Sequence, residues 1–190
     1  MGLQNENKEL KRRVDSLDMA SRQTSLVIRG LPETSYAEMA TGGDHPAPSS
    51  LGGLRSQKPT HAVVTEKAVL ELCNTDLGLC LSSKDIEVSY RLKSQNTATP
   101  RPILVTFASR KTRNEVYERR RALKGKVGAK VYICENLTAS ASETAREARK
   151  LIKEGRLHSC WTSGESVVVK RTETGKPTYV HDHASLLACC

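Results

Sequence analysis

Leu3, Leu10 and Leu17 recur every seven residues, with Asn7 and Val14 between them. Residues 3 to 21 therefore read as a short helix with a heptad seam, flanked by Glu6, Lys8, Glu9, Lys11, Arg12 and Arg13. An Asn at an a position sets register and oligomer state in coiled coils, and under three heptads is short for an isolated helix. The run Leu26, Val27, Ile28, stopped by Gly30 and Pro32, reads as a buried strand entering a turn. Residues 34 to 60 are rich in Gly, Ser, Pro, Ala and Thr without apolar periodicity, the pattern of a long flexible insertion. Helical spacing starts at Val63 and runs to Leu79. Thr65 is expected as its cap, with Val69, Leu72 and Cys73 on one face and Gly78 as its stop. In residues 85 to 92, Ile86, Val88, Tyr90 and Leu92 alternate with period two and are expected on one strand face. A strand over 103–107 follows Pro102, a helix over 109–123 carries Val116, Tyr117 and Leu123, and residues 130–134 give a fourth strand.

That order is β-α-β-β-α-β, the split ferredoxin-like arrangement shared by RNA-recognition modules. A further helix from about Ser140 to Glu154 is closed by Gly155, and the stretch from Trp161 to Val180 suggests two or three short strands. The fold class expected is α+β. The segments are an N-terminal coiled-coil helix at 1–22 and an RNA-recognition-like domain at 24–136, with the insertion at 34–60. A small α+β domain at 137–182 and a tail at 183–190 follow.

Charge adds a direction to this outline. Lys and Arg number 30 against 21 Asp and Glu, a formal net of +9. Between Ser109 and Arg156 stand 14 basic and 6 acidic residues, so +8 of that excess lies in one quarter of the chain. A solvated helix face usually mixes its signs; one this biased suits a polyanion bound through release of phosphate counterions. An anionic membrane surface needs a large apolar face as well, which these basic helices lack, and no apolar run reaches the ~18 residues of a membrane span. The N-terminus carries charges with no apolar stretch behind them, so a secretory signal is not expected. The expected location is cytoplasmic with nuclear access, and the context reducing.

Cys73, Cys80, Cys134, Cys160, Cys189 and Cys190 form no Cys-x-x-Cys pair and are expected as free thiols. His181 and His183 near Cys189 and Cys190 leave a Cys/His site conceivable beside the plainer reading of a frayed tail. No P-loop, Gly-x-Ser-x-Gly or His-Glu-x-x-His motif is present, and no acidic cluster suits two metals. His158 near Cys160 has no third group to orient it as a dyad. Neither an enzyme nor a cofactor is expected.

The stretches SLVIRGLPE, DIEVSYRL, RPILVTFASRKTRNEVYERRRALKG, VYICENLT and REARKLIKEGRLHSCWTSGESVVVKR resemble a known family. It is the nucleic-acid-binding protein from the first reading frame of LINE-type (non-LTR) retrotransposons, an extended group that includes the baculovirus few-polyhedra (FP) protein. The resemblance covers roughly residues 1 to 32 and 63 to 181. It implies a coiled coil, an RNA-recognition-like domain and a C-terminal domain acting together. It further implies trimerisation through the coiled coil, a coat on single-stranded RNA or DNA, chaperone action in strand exchange, and no enzymatic activity. The chain departs from the pattern in its short heptad segment, its insertion at 34–60 and its C-terminal HDHASLLACC.

Laid on the RNA-recognition pattern, Val27 stands where the first strand's stacking aromatic belongs. On RPILVTF, Phe107 is kept but Pro102 and Leu104 occupy the two stacking positions. Affinity is therefore expected from phosphate contacts. The candidates are Arg110, Lys111, Arg113, Arg119, Arg120, Arg121, Lys124, Lys126 and Lys130. Arg29, Arg91 and Arg101, on or beside strands, are expected to line a groove, with Arg146, Arg149, Lys150, Lys153 and Arg156 as its opposite wall. Trp161 has two readings, a core ring of a small module and a base-stacking ring. A coiled-coil protein-interaction module or FP-like structural protein is the alternative function.

Overall fold

A computed structural model describes residues 2–33, 61–94, 98–124, 131–163, 166–180 and 183–189. The expected insertion at 34–60 and the candidates Lys126 and Lys130 lie outside the described residues, as do His181 and Cys190. The chain is α+β and divides into two compact units, Thr24–Cys134 and the combination of Met1–Gln23 with Glu135–Cys190.

In the unit Thr24–Cys134, strands β1 (Ser25–Arg29), β2 (Ile86–Arg91), β3 (Ile103–Phe107) and β4 (Tyr132–Glu135) form one sheet in the order β2-β3-β1-β4. Helix α2 (His61–Glu71) follows β1 and helix α3 (Arg110–Arg119) follows β3. Strand β1 runs antiparallel to β3, with Leu26 opposite Val105 and Ile28 opposite Ile103. These four, with Phe107 and Ile133, share a core with Val69, Leu72, Cys73 and Val116 of the helical segments. Period two then assigns Val27, Leu104, Thr106, Tyr132 and Cys134 to the opposite face. On that face the Ser25 and Thr106 hydroxyls hydrogen-bond across the strands at 2.9 Å.

Two segments differ from expectation. Thr65 is not a cap: the helix starts at His61, and Thr65 lies inside it, buried. Strand β2 does not keep one face, because its register against β3 shifts between Ile86 and Val88. Ile86 is buried, whereas Val88 and Tyr90, opposite Thr106 and Leu104, are exposed and Ser89 is buried instead. A bulge of one residue moves every later side chain to the other face.

After α2 the chain widens into a π turn, Leu72–Asp76, and Gly78 ends it at φ 64°, in the left-handed region that favours glycine. Asn74 pins the next loop, its side chain accepting from the Leu81 amide at 2.7 Å and donating to the Leu81 carbonyl at 2.9 Å.

The second unit joins the two ends of the chain. Helix α1 (Gly2–Ser21) was expected as a segment of its own. Met19 near its end is buried, and the Thr138 amide donates to Met19 Sδ at 3.2 Å. Arg22, held by Asp18 at 2.9 Å, donates to Asn136 Oδ1 at 3.2 Å. Leu3, Leu10, Val14 and Leu17 stay exposed along the rest of the helix.

Thr138 caps helix α4 (Ala139–Lys153) by accepting from the Ala141 amide at 3.2 Å. The helix buries Ala141, Thr144, Ala145, Ala148 and Leu151. Strands β5 (Ser159–Ser163), β6 (Ser166–Lys170) and β7 (Thr178–Val180) form an antiparallel sheet in that order. Val167, Val169 and Val180 pack with Ala145, Ala148 and Leu151. The tail expected at 183–190 instead holds a short helix, α5 (His183–Ala188), and Leu186 is fully buried in that same core. An apolar residue in a small module with few others is drawn into the core even near a chain end.

Candidate nucleic-acid interface

Helix α3 starts on Ser109, whose hydroxyl accepts from the Thr112 amide at 3.0 Å. Val116 is its buried residue, so the remaining surface is free to carry charge. Arg110 and Lys111 occupy the first turn, which holds no acidic residue. Cations there oppose the helix dipole and weaken the helix by a few tenths of a kcal/mol each. Both side chains are exposed and have no hydrogen-bond or ion-pair partner among the described residues.

The three adjacent arginines further along are not equivalent. Arg119 donates to the Gly78 carbonyl at 2.7 Å and the Leu77 carbonyl at 3.3 Å, and pairs with Glu115 at 3.3 Å. It closes the end of the α2 segment from the neighbouring helix. Arg120 begins a 3-10 turn, Arg120–Leu123, and its guanidinium lies 3.6 Å from the centre of the Tyr117 ring. Arg120 also donates to the Tyr117 carbonyl. Arg113 stacks on the same ring at 4.8 Å and donates to Asn114 Oδ1 at 3.1 Å. The side chains of Arg121 and Lys124 are exposed, without a hydrogen-bond or ion-pair partner among the described residues.

The strand-associated candidates part in the same way. Arg29 is exposed at the end of β1. Arg91 donates to the Leu31 carbonyl at 2.8 Å, the Pro32 carbonyl at 2.5 Å and the Arg101 carbonyl at 2.7 Å. Burial lowers its pKa. Arg101 grips Glu33, Nη2 to Oε2 at 2.8 Å and Nε to Oε1 at 3.1 Å, while its amide donates to Oε1 at 3.0 Å. Those bonds hold the Glu33 carboxyl at about 2. Arg91, Arg101 and Glu33 thus tie the segment after β1 to the segment before β3, and both guanidinium groups are engaged within the protein.

On the outer face of α4, Arg146 pairs with Glu143 at 3.3 Å and lies 3.8 Å from Glu147, and Lys150 pairs with Glu147 at 2.8 Å. The side chains of Arg149, Lys153 and Arg156 are exposed, with no hydrogen-bond or ion-pair partner among the described residues. Trp161 is not a core ring: it is exposed, on the opposite face of β5 from Cys160, which packs against the core.

Three exposed rings escaped the sequence reading. Tyr90 and Tyr132 stand on the face of the first sheet away from its helices, and Tyr179 on the second sheet. The alternation around Ile133 carried the signal for Tyr132; the bulge hid Tyr90. Burial pushes the Cys73 thiol up to about 12, leaving it inert as a nucleophile. Cys73, Cys80, Cys134, Cys160 and Cys189 are unbridged. Among the described residues no three metal-ligating side chains gather, and no helix is long and apolar enough to cross a membrane. No protein-family model and no curated protein matches the chain.

Proposed function

We propose that this chain is a non-enzymatic, sequence-tolerant binder of single-stranded RNA or DNA, of the retrotransposon nucleoprotein and chaperone kind. In this reading Thr24–Cys134 is an RNA-recognition-like domain that holds its strand by the phosphates, and Glu135–Cys190 adds a small second module. The observation that carries it is the surface of α3 and the turn after it. Arg110, Lys111, Arg121 and Lys124 stand exposed and unshared there, two of them where they weaken their own helix. Unshared guanidinium and ammonium groups bind phosphate without first breaking an internal bond. Val27 and Leu104 at the central strand positions offer no ring for base reading, which favours tolerance of sequence.

The exposed seam of α1 supports self-association as part of the same reading. Leu3, Leu10, Val14 and Leu17 would be covered in a coiled coil, and Asn7 would set its register. Several copies on one strand raise avidity without new contacts. A cytoplasmic place with nuclear access belongs to this proposal.

The test is the triple variant Arg110→Ala, Lys111→Ala, Arg121→Ala in an anisotropy titration on unrelated single strands. Binding is expected to fall on every strand by about the same factor. Loss confined to one sequence would contradict phosphate-led binding, and unchanged binding would remove α3 from the interface.

A further inference from the structure

Strand β6 is the middle strand of the second sheet, and its register places Val168 between Trp161 of β5 and Tyr179 of β7. All three side chains face away from α4, because the alternating Val167 and Val169 fill the core. Val168 is 1% exposed, while Trp161 and Tyr179 remain 41% and 61% exposed. The row is therefore a closed aliphatic position flanked by two partly open rings, whose backbone positions lie two strand spacings or about 10 Å apart.

The rim is polar. Ser159 and Ser163 share the face of Trp161, and Ser166 and Lys170 share that of Val168. A docked protein would need apolar surface continuing beyond the rings. Hydroxyls and an ammonium instead suit a backbone of phosphates and sugars.

We infer that this outer face of the second sheet is a base-stacking platform for single-stranded nucleic acid. Trp161 and Tyr179 each take one base, and Lys170 takes a phosphate of the same strand. The inference rests on the proposed function and deepens it: phosphate contacts supply the salt-dependent part of binding, and two rings supply a part that salt does not screen. Stacking of this kind tolerates any base, because every base has a π face.

Trp161 is the only tryptophan, so its emission reports this face alone. The full chain is titrated with a labelled oligo-dT, following anisotropy and Trp emission together. Trp quenching that tracks the anisotropy is expected. Tyr179→Ala is expected to weaken binding between about 5- and 150-fold, while Tyr179→Phe keeps the ring and the affinity. An oligonucleotide of abasic sites keeps the phosphates without the bases. It is expected to bind more weakly to the unaltered protein and to leave Trp161 unquenched, whatever the folding of any variant. Binding with unchanged Trp emission and equal affinity for the abasic strand would overturn the platform while sparing the proposed function. No anisotropy change at all would overturn both. Trp emission that depends on protein concentration without oligonucleotide would assign the face to a second copy, against the inference.

Discussion

Arg119 and Arg121 sit two residues apart and carry the same charge, yet their loss has different consequences. Arg119→Ala removes a charged donor from the Gly78 carbonyl at 2.7 Å, a longer bond to the Leu77 carbonyl at 3.3 Å, and an exposed pair with Glu115. A hydrogen bond from a charged group contributes about 1.5–3 kcal/mol, and the exposed pair adds at most about 0.5 kcal/mol. The freed carbonyls lie near the surface and regain water, so the lower end applies, about 1.5 kcal/mol. In a domain of this size that lowers the melting temperature by about 5–8 °C. Arg121→Ala removes no internal bond and stays within about 0.5 kcal/mol. In the proposed function its cost falls on binding instead. One phosphate left unneutralised reduces the log–log salt slope by about 0.7, or about four-fold in affinity near 0.15 M salt. Circular dichroism is the assay for melting, because Trp161 lies in the other unit and reports little on this one. Equal melting shifts for the two variants would refute the assignment of Arg119 to the fold and Arg121 to the ligand. Arg119→Lys should recover only part of the loss, since a single ammonium cannot place one nitrogen on the two carbonyls and another on Glu115 as Nη1 and Nη2 do.

Glu33 supplies a pH test. Its folded pKa of about 2 lies below the ordinary 4.5, so its contribution is complete above pH 4.5 and is lost as pH falls toward 2. Both partners are more than a third exposed, which keeps the effect below about 1 kcal/mol. Acid unfolding of Glu33→Gln should therefore show a shallower loss of stability over that window than the unaltered protein; identical acid profiles would contradict the clamp. In α1, Leu10→Glu with Leu17→Glu should reduce the mass seen by sedimentation without changing the melting of the rest, because both side chains are exposed. An unchanged mass would exclude the heptad seam as the self-association surface.

What the sequence disclosed follows the range of the interactions involved. The strand over 103–107 and its place between a basic helix and the turn before it were readable, since Pro102 and the alternation of Ile103, Val105 and Phe107 are local. The face of Tyr90 was not, because a single bulged residue against β3 decides it. Nor was the anchoring of α1, which depends on Met19 meeting Thr138, 119 residues away. The charge block around α3 was visible as a sum, but not which members are committed. Arg91 and Arg119 are held by carbonyls about 60 and 41 residues distant, and composition gives no sign of such pairings. A lone tryptophan in a small module reads as core by default. Trp161 escapes the core because α4 and its valines fill one side of a three-stranded sheet and the alternation of β5 turns Cys160, not Trp161, toward them.

In the proposed function, affinity comes chiefly from phosphates neutralised by the exposed cations. The decisive measurement is the association constant of the full chain for an unstructured single strand across a series of salt concentrations. With about six phosphates neutralised, log K against log salt should fall with a slope near −4, and with nearly the same slope for unrelated sequences. A flat line would contradict phosphate-led binding.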